Sequence, residues 1–376
     1  MQHIGVIGHD DLADAFLNKL KAAGFEVSGF ALKTSRSKAR MKGIAQVVST
    51  ADLVITVLES PQEIEEVYLG SGGILASIRP GTYIIDLTLN TPRFARELYA
   101  LASVHDCYFI EAPFAVDDGE ADSATAGAIR LFVGGEPLAI EQVRPILEAI
   151  SPCVLPVGLP GAGASAKLVT VISQTGALMS LVEMLTFALN SNIDIKSIPA
   201  LLASDPHVTP MMKHWAALIL DEQFVSGSPI EPFFNELSIA LDAADELDLA
   251  FPVLETAHQL YDLLMMVGGS TKALQALALV YREEEYCIGQ GLDWALAQRA
   301  MDVYEQANGL GYDMYDDDCD DPECDHHDHH HDSSLHGSST HGSSTHGSSA
   351  HGSHDFPDNE DEDDDLPHLG GYFSSN

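Results

Sequence analysis

The sequence predicts an α/β doubly wound parallel sheet, then an all-helical region, then a disordered C-terminal tail. Three observations carry this expectation. Up to about residue 135, short runs apolar on both faces alternate with helix-patterned segments, as in a parallel sheet covered by helices on two sides. From Gly158 to Leu310 the pattern is helical throughout. Beyond Tyr312 apolar side chains become scarce, and Asp, His and Ser take over. The expected divisions are 1–160, 161–312 and 313–376.

Residues 4–7 read as an apolar strand, and residues 12–23 have helical spacing that stops at Gly24. Residues 25–32 are strand-like, and 53–58 (Leu-Val-Ile-Thr-Val-Leu) form a strand apolar on both faces. Residues 83–87 and 108–110 are further strands, each preceded by a helix pattern. The character changes near Gly158-Leu-Pro-Gly-Ala-Gly163. The first helix after it, about 164–190, is long and apolar nearly all round, as befits a domain's central helix, a subunit interface, or both. A homodimer is therefore expected.

Composition narrows the partners. The chain has 376 residues, 45% hydrophobic and 20% charged, with a net charge of −39. All 18 Lys and Arg lie at or before Arg299, and 18 of the 57 acidic residues lie after Tyr312. Such a surface repels nucleic acid and anionic membrane, so neither is expected as a partner. No apolar run of about 18 residues suggests a membrane span. The chain opens directly on a strand, and Cys107, Cys153 and Cys287 are scattered as reduced thiols would be, so a cytoplasmic setting is expected.

The tail carries Asp316-Asp-Asp-Cys-Asp-Asp-Pro-Glu-Cys324, the run Asp325-His-His-Asp-His-His-His-Asp332, and a repeated His-Gly-Ser-Ser segment from His336. It cannot offset an ordering entropy of roughly 1–2 kcal/mol per residue. Imidazole and thiolate suit nickel and zinc, so Cys319, Cys324, His326, His327, His329, His330 and His331 are candidate ligands of a flexible chelating arm for divalent metal ions. An ordinary solubilising tail has the same composition.

A strand leading into Gly8-His-Asp-Asp-Leu-Ala13 and a helix is the place for the Gly-x-Gly-x-x-Gly/Ala turn of a Rossmann-type dinucleotide site, with a pyrophosphate on the helix N-terminus. Gly8 and Ala13 fit, but Asp10 replaces the middle glycine. Its carboxylate adds bulk and like charge, with a repulsion approaching ~4 kcal/mol at ~4 Å and an effective dielectric near 20. Alternatively Asp10 or Asp11 only caps the helix. After the second strand there is no acid for a ribose; Lys33, Arg36, Lys38, Arg40 and Lys42 follow instead. A solvated helix face would look the same, but a pocket for the 2′-phosphate of NADP is the sharper reading, and NADP is expected over NAD. The cofactor contacts expected are Gly8, His9, Asp10, Leu12, Ala13, Lys33, Arg36, Leu58 and Thr88.

Several further segments, in order, resemble the β-hydroxyacid dehydrogenase family, which includes 3-hydroxyisobutyrate dehydrogenase and, more distantly, 6-phosphogluconate dehydrogenase. They are Val57-Leu-Glu-Ser-Pro-Gln62, Gly70-Ser-Gly-Gly73, Asp86-Leu-Thr-Leu-Asn-Thr-Pro92, Glu111-Ala-Pro113 with Ala126-Gly-Ala-Ile-Arg-Leu-Phe-Val-Gly-Gly135, and Gly158-x-x-Gly161-x-Gly163-x-x-x-Lys167. The resemblance spans about residues 4–281 and implies an NAD(P)-dependent oxidoreductase with a small-molecule substrate. It also implies that Lys167 is the general acid/base. The local sequence agrees: Lys167 falls in the first turns of a helix, where the dipole disfavours a cation, among Leu168, Val169, Val171 and Ile172. Those conditions suit an amine that transfers protons, although a lysine snorkelling from a surface helix shares them in part.

Departures cluster on the expected substrate contacts. The family's Asn four residues after the lysine is Val171, so Thr170 and Gln174 are the candidates for a substitute hydrogen bond. Ala115-Val-Asp117 stands for the carboxylate-holding Ser-Gly-Gly, Thr88-Leu89 for a Ser-Thr pair, Asn235-Glu236 for Lys-Asp, and Lys272 for an Asp. Two outcomes follow: an oxidoreductase whose substrate is not a simple 3-hydroxy acid, or an inactive fold retained for metal binding or regulation.

Overall fold

The computed structural model describes residues 3–8, 10–32, 37–58, 61–116 and 129–299, without the side chains of 10–12, 37–40 and 61–62. The chain runs β1 (His3–Gly8), α1 (Asp10–Ala22), β2 (Glu26–Ala31), α2 (Ser37–Val48), β3 (Leu53–Val57), α3 (Pro61–Leu69) and α4 (Ile74–Ser77). It continues through β4 (Tyr83–Asp86), α5 (Pro92–Val104), β5 (Tyr108–Glu111), β6 (Phe114–Val116), β7 (Ile129–Gly135), α6 (Pro137–Ile150) and β8 (Cys153–Gly158). Thereafter the named elements are helical: α7 (Ala162–Leu189), α8 (Ile198–Ser204), α9 (Pro210–Leu220), α10 (Ile230–Asp245), α11 (Pro252–Leu264), a 3-10 stretch Leu274–Tyr281, and α12 (Glu284–Gly289).

The strands order as β2-β1-β3-β4-β5-β7-β6, with β8 beside β7. β2 to β5 are parallel, and their order reverses at β1, which lies between β2 and β3. Every residue of β3 is buried, because helices cover both faces. One face packs Ile4, Val6, Ile55 and Ile85 against Phe16 and Leu20 of α1 and Val143 and Leu147 of α6. The other packs Ile7, Val54 and Ile84 against Ile44 and Val48 of α2 and Leu98 of α5.

The expected doubly wound parallel sheet is present, and its far side adds antiparallel pairing. β7 runs antiparallel to both β5 and β6, and β8 returns parallel to β7 through the crossover helix α6. β6 is only three residues long, and an antiparallel neighbour needs no crossover helix to announce it.

α7 joins the sheet to the helices that follow. Its start presses on β7: a Cβ added to Gly163 would meet the Phe132 carbonyl oxygen at 2.6 Å. Its later turns bury Leu178, Leu181, Val182 and Leu185 among Trp215, Ile219, Phe233, Leu237 and Leu277. By length and apolarity α7 could cross a membrane, with 44% of its most apolar window buried inside the structure, which corrects the expectation that no segment has those properties.

Candidate active site

The crevice at the reversal point is built from strand C-termini, where open α/β sheets bind nucleotides. Gly8 ends β1 opposite Val57. A Cβ there would meet the Val57 carbonyl oxygen at 2.5 Å and the Ala13 methyl at 3.3 Å, so only glycine lets α1 start this close. The Leu58 amide donates to the Thr88 hydroxyl at 3.0 Å, which brings two of the expected cofactor residues together. Gly8, Ala13, Leu58 and Thr88 thus gather at the ends of β1, β3 and β4. Asp10 and Leu12 sit in the first turn of α1, but their side chains are outside the description, as are His9, Lys33 and Arg36 altogether. The metal candidates from Cys319 to His331 also lie outside the described residues; among those described, no cluster of three or more His, Cys, Asp or Glu could hold a metal.

Two buried carboxylates hold the strand ends. Asp86 accepts from the Thr56 hydroxyl at 2.9 Å, the Thr88 amide at 3.1 Å and the Asn90 side chain at 3.3 Å. Burial pushes its pKa from 3.8 up to about 6, partly offset by the bonds from Thr88 and Thr56. Glu111, next to it across the sheet, accepts from the amides of Gly161 at 2.5 Å, Gly163 at 2.9 Å and Ala164 at 3.2 Å. Burial raises its pKa as well; the three amides oppose that shift, and the charge on Asp86 adds to it. These amides are orphan donors at the start of α7, so Glu111 caps the helix from another strand. Gly161 precedes that helix at φ 94, a conformation suited to glycine.

Lys167 lies less than two turns into the capped helix and is 5% exposed. Its ammonium donates to Glu236 Oε2 of α10 at 2.8 Å. Both line a cleft of about 640 Å³ between the sheet's β6–β7 edge and the helices. Thr170 and Gln174 line it too, so the three expected catalytic residues share one cavity. Thr170 turns its hydroxyl back to the Lys167 carbonyl at 2.7 Å, and the ammonium donates its hydrogen bond to Glu236 instead. Val171, in place of the family's Asn, is fully buried in the helical core. Lys272 is not among the cleft's lining residues: its ammonium donates to the Gln290 carbonyl at 2.7 Å, and burial lowers its pKa.

Sequence reasoning missed three residues of this site. Glu236 registered only as a departure and Glu111 only as part of a motif, because their partners are 69 and 50 residues away. Arg130, on β7, lines the same cleft. Its signal was strand alternation: Leu131 and Val133 belong to the core on the other face, so Arg130 and Phe132 face α7.

Residues 3–158 match the family profile described as the NAD binding domain of 6-phosphogluconate dehydrogenase. Residues 161–281 match the profile described as NAD-binding of NADP-dependent 3-hydroxyisobutyrate dehydrogenase. The chain belongs to the β-hydroxyacid dehydrogenase family. It is an NAD(P)-dependent oxidoreductase of that type, with a nucleotide cofactor and a small-molecule substrate. The chain is similar to the probable mitochondrial 3-hydroxyisobutyrate dehydrogenase-like 1 of Arabidopsis thaliana, at 27% identity over 73% of this chain and 84% of that one. It is similar also to the NAD-dependent L-serine dehydrogenase of Pseudomonas aeruginosa, at 25% identity over 71% and 94%. The fold is shared with Mycobacterium tuberculosis 3-hydroxyisobutyrate dehydrogenase solved with L-serine, at TM-score 0.64 and 22% identity over 75% of this chain and all of that one.

Proposed function

We propose that this family member is catalytically competent, uses NADP(H), and interconverts a hydroxy compound and its carbonyl counterpart with Lys167 as the proton-transferring group. The observation that supports this best is a lysine buried at a cleft, held by a carboxylate at 2.8 Å, on a helix capped from the sheet. The dinucleotide would rest at the N-terminus of α1, which Gly8, with no space for a Cβ beside Val57 and Ala13, lets start close against the strand ends. When bound, its nicotinamide supplies the carbon that accepts or donates a hydride. In the oxidative direction Lys167 would first release its extra proton toward solvent by way of Glu236. The neutral amine would then take the hydroxyl proton as the substrate's C–H hydrogen leaves with its electron pair to the cofactor. Glu236, whose side chain is 26% exposed, holds the amine in place and links it toward solvent for proton exchange. In the reverse direction the ammonium protonates the carbonyl oxygen.

Fluorescence titration with NADPH and NADH tests the reading, together with Lys167→Ala. Micromolar NADPH binding, unchanged in the variant, is expected alongside a turnover loss of about 10²–10⁴-fold. Binding of neither nucleotide would instead favour the second reading, an inactive fold, whose motivation is Asp10 in place of the middle glycine.

We propose two further properties from the sequence pattern. The chain forms a homodimer through α7, and the tail residues Cys319, Cys324, His326, His327, His329, His330 and His331 chelate nickel or zinc. Calorimetry of full-length and 1–312 protein with each metal reads the second property. Sites lost with the tail are expected; equal stoichiometry would exclude it.

A further inference from the structure

Ala115 and Val116 stand where the family resemblance puts the donors for a substrate carboxylate, and both line the cleft without a side-chain donor. The neighbouring strand places an alternative there. Arg130 of β7 is the register partner of Ala115 on β6, and it lines the same cleft as Lys167. Arg130 also has an interaction of its own within the chain, and a guanidinium's five N–H donors can serve more than one acceptor and suit a carboxylate. The described lining thus places Arg130 in the same cleft as the Lys167–Glu236 pair.

One part of the wall is apolar, with Met211, Trp215, Pro229, Pro232, Phe233 and Leu274, whereas α7 lends it the polar Thr170 and Gln174. The cleft's volume of about 640 Å³ far exceeds a hydroxy acid of a few carbons, even with the nicotinamide ring taking a share. A short acid would leave this apolar wall wet, whereas a bulky substituent gains about 25 cal/mol for each Å² it removes from water.

We propose that Arg130 holds the acidic group of the substrate, and that the substrate is a monoanion with a bulky apolar or aromatic body. The inference rests on the cleft being the substrate site of the oxidoreductase read above. Calorimetric titration of the full chain, with and without saturating NADP⁺, uses three unreactive probes: 3-phenylpropionate, 3-phenylpropionamide and propionate. The aryl acid is expected to bind more tightly than either other probe. Arg130→Gln should weaken it about 10–100-fold, the range of a charge-assisted hydrogen bond, and leave the amide unchanged. Arg130→Lys should recover part of the loss, and unaltered amide binding shows that the variants fold. Equal affinity for acid and amide, propionate binding as well as the aryl acid, no effect of Arg130→Gln, or no binding of any probe would overturn the proposal. NADPH binding and the Lys167→Ala turnover assay involve neither probe nor Arg130, so failure of the broader reading shows separately.

Discussion

Three backbone amides at the start of α7 converge on one side chain, Glu111, and that convergence sets the cost of removing it. Alanine would strand buried donors at a penalty of roughly 1–3 kcal/mol each. The Glu111→Ala variant should therefore lose about 3 kcal/mol or more, read as a lower denaturant midpoint at unchanged slope. Glu111→Gln keeps one acceptor oxygen and should retain a large part of that stability. Equal midpoints for the two variants would mean that the carboxylate does not hold the turn. Lys167 itself was legible in the sequence, because glycines at fixed offsets precede it and apolar residues surround it. Its two supports were not. Helix spacing identifies neighbours three or four residues away, whereas Glu236 comes from α10 and Glu111 from β5. For the same reason Thr170 and Gln174 looked like partners of the lysine, and an acid on a facing helix makes the contact.

At the scale of elements, the parallel strands were readable because helices bury both of their faces, and a two-sided apolar run leaves a plain trace. β6 and β8 leave none: β6 is three residues long, and β8 is partly exposed with Pro156 within it. The bonds that lock the strand ends have a pH signature. Asp86, at the end of β4, has a folded pKa raised from 3.8 to about 6. Between those values the folded chain binds more protons than the unfolded one, so this group's contribution to stability falls as pH rises. It is fully favourable below about 4 and reduced by about 3 kcal/mol above about 6. Glu111, also raised, acts with the same sign. Surface carboxylates pull the other way, so the quantity to measure is wild type minus Asp86→Asn. That difference in unfolding free energy should decline across pH 4 to 6. A flat difference would show that Asp86 keeps an ordinary pKa in the folded chain.

For the whole described body, α7 is the common axis: it contacts the sheet, carries Lys167 and fills the helical core. It also keeps an outward side. Val169 is 64% exposed and Phe187 74% exposed. They are eighteen residues apart, about five turns at 3.6 residues per turn, and so share one face. Between them on that face lie Ser173, Gly176 and Ser180, and a Cβ at Gly176 would meet nothing within 4 Å. Small residues flanked by large apolar ones allow a second helix to approach closely, the arrangement a self-complementary two-fold contact uses. Phe187→Glu should halve the mass measured by light scattering at micromolar concentration, since it places an unpaired charge in an apolar contact. Glu183 lies near the same face and would approach its own copy, so added salt should favour the dimer of the unmodified chain. Val169 and Ser173 line the cleft as well, so the monomeric variant should lose turnover although Phe187 lies more than five turns from Lys167. A single-chain mass for the unmodified protein, or an unchanged mass for the variant, would mean that this face stays wet and that the cleft is complete in one subunit.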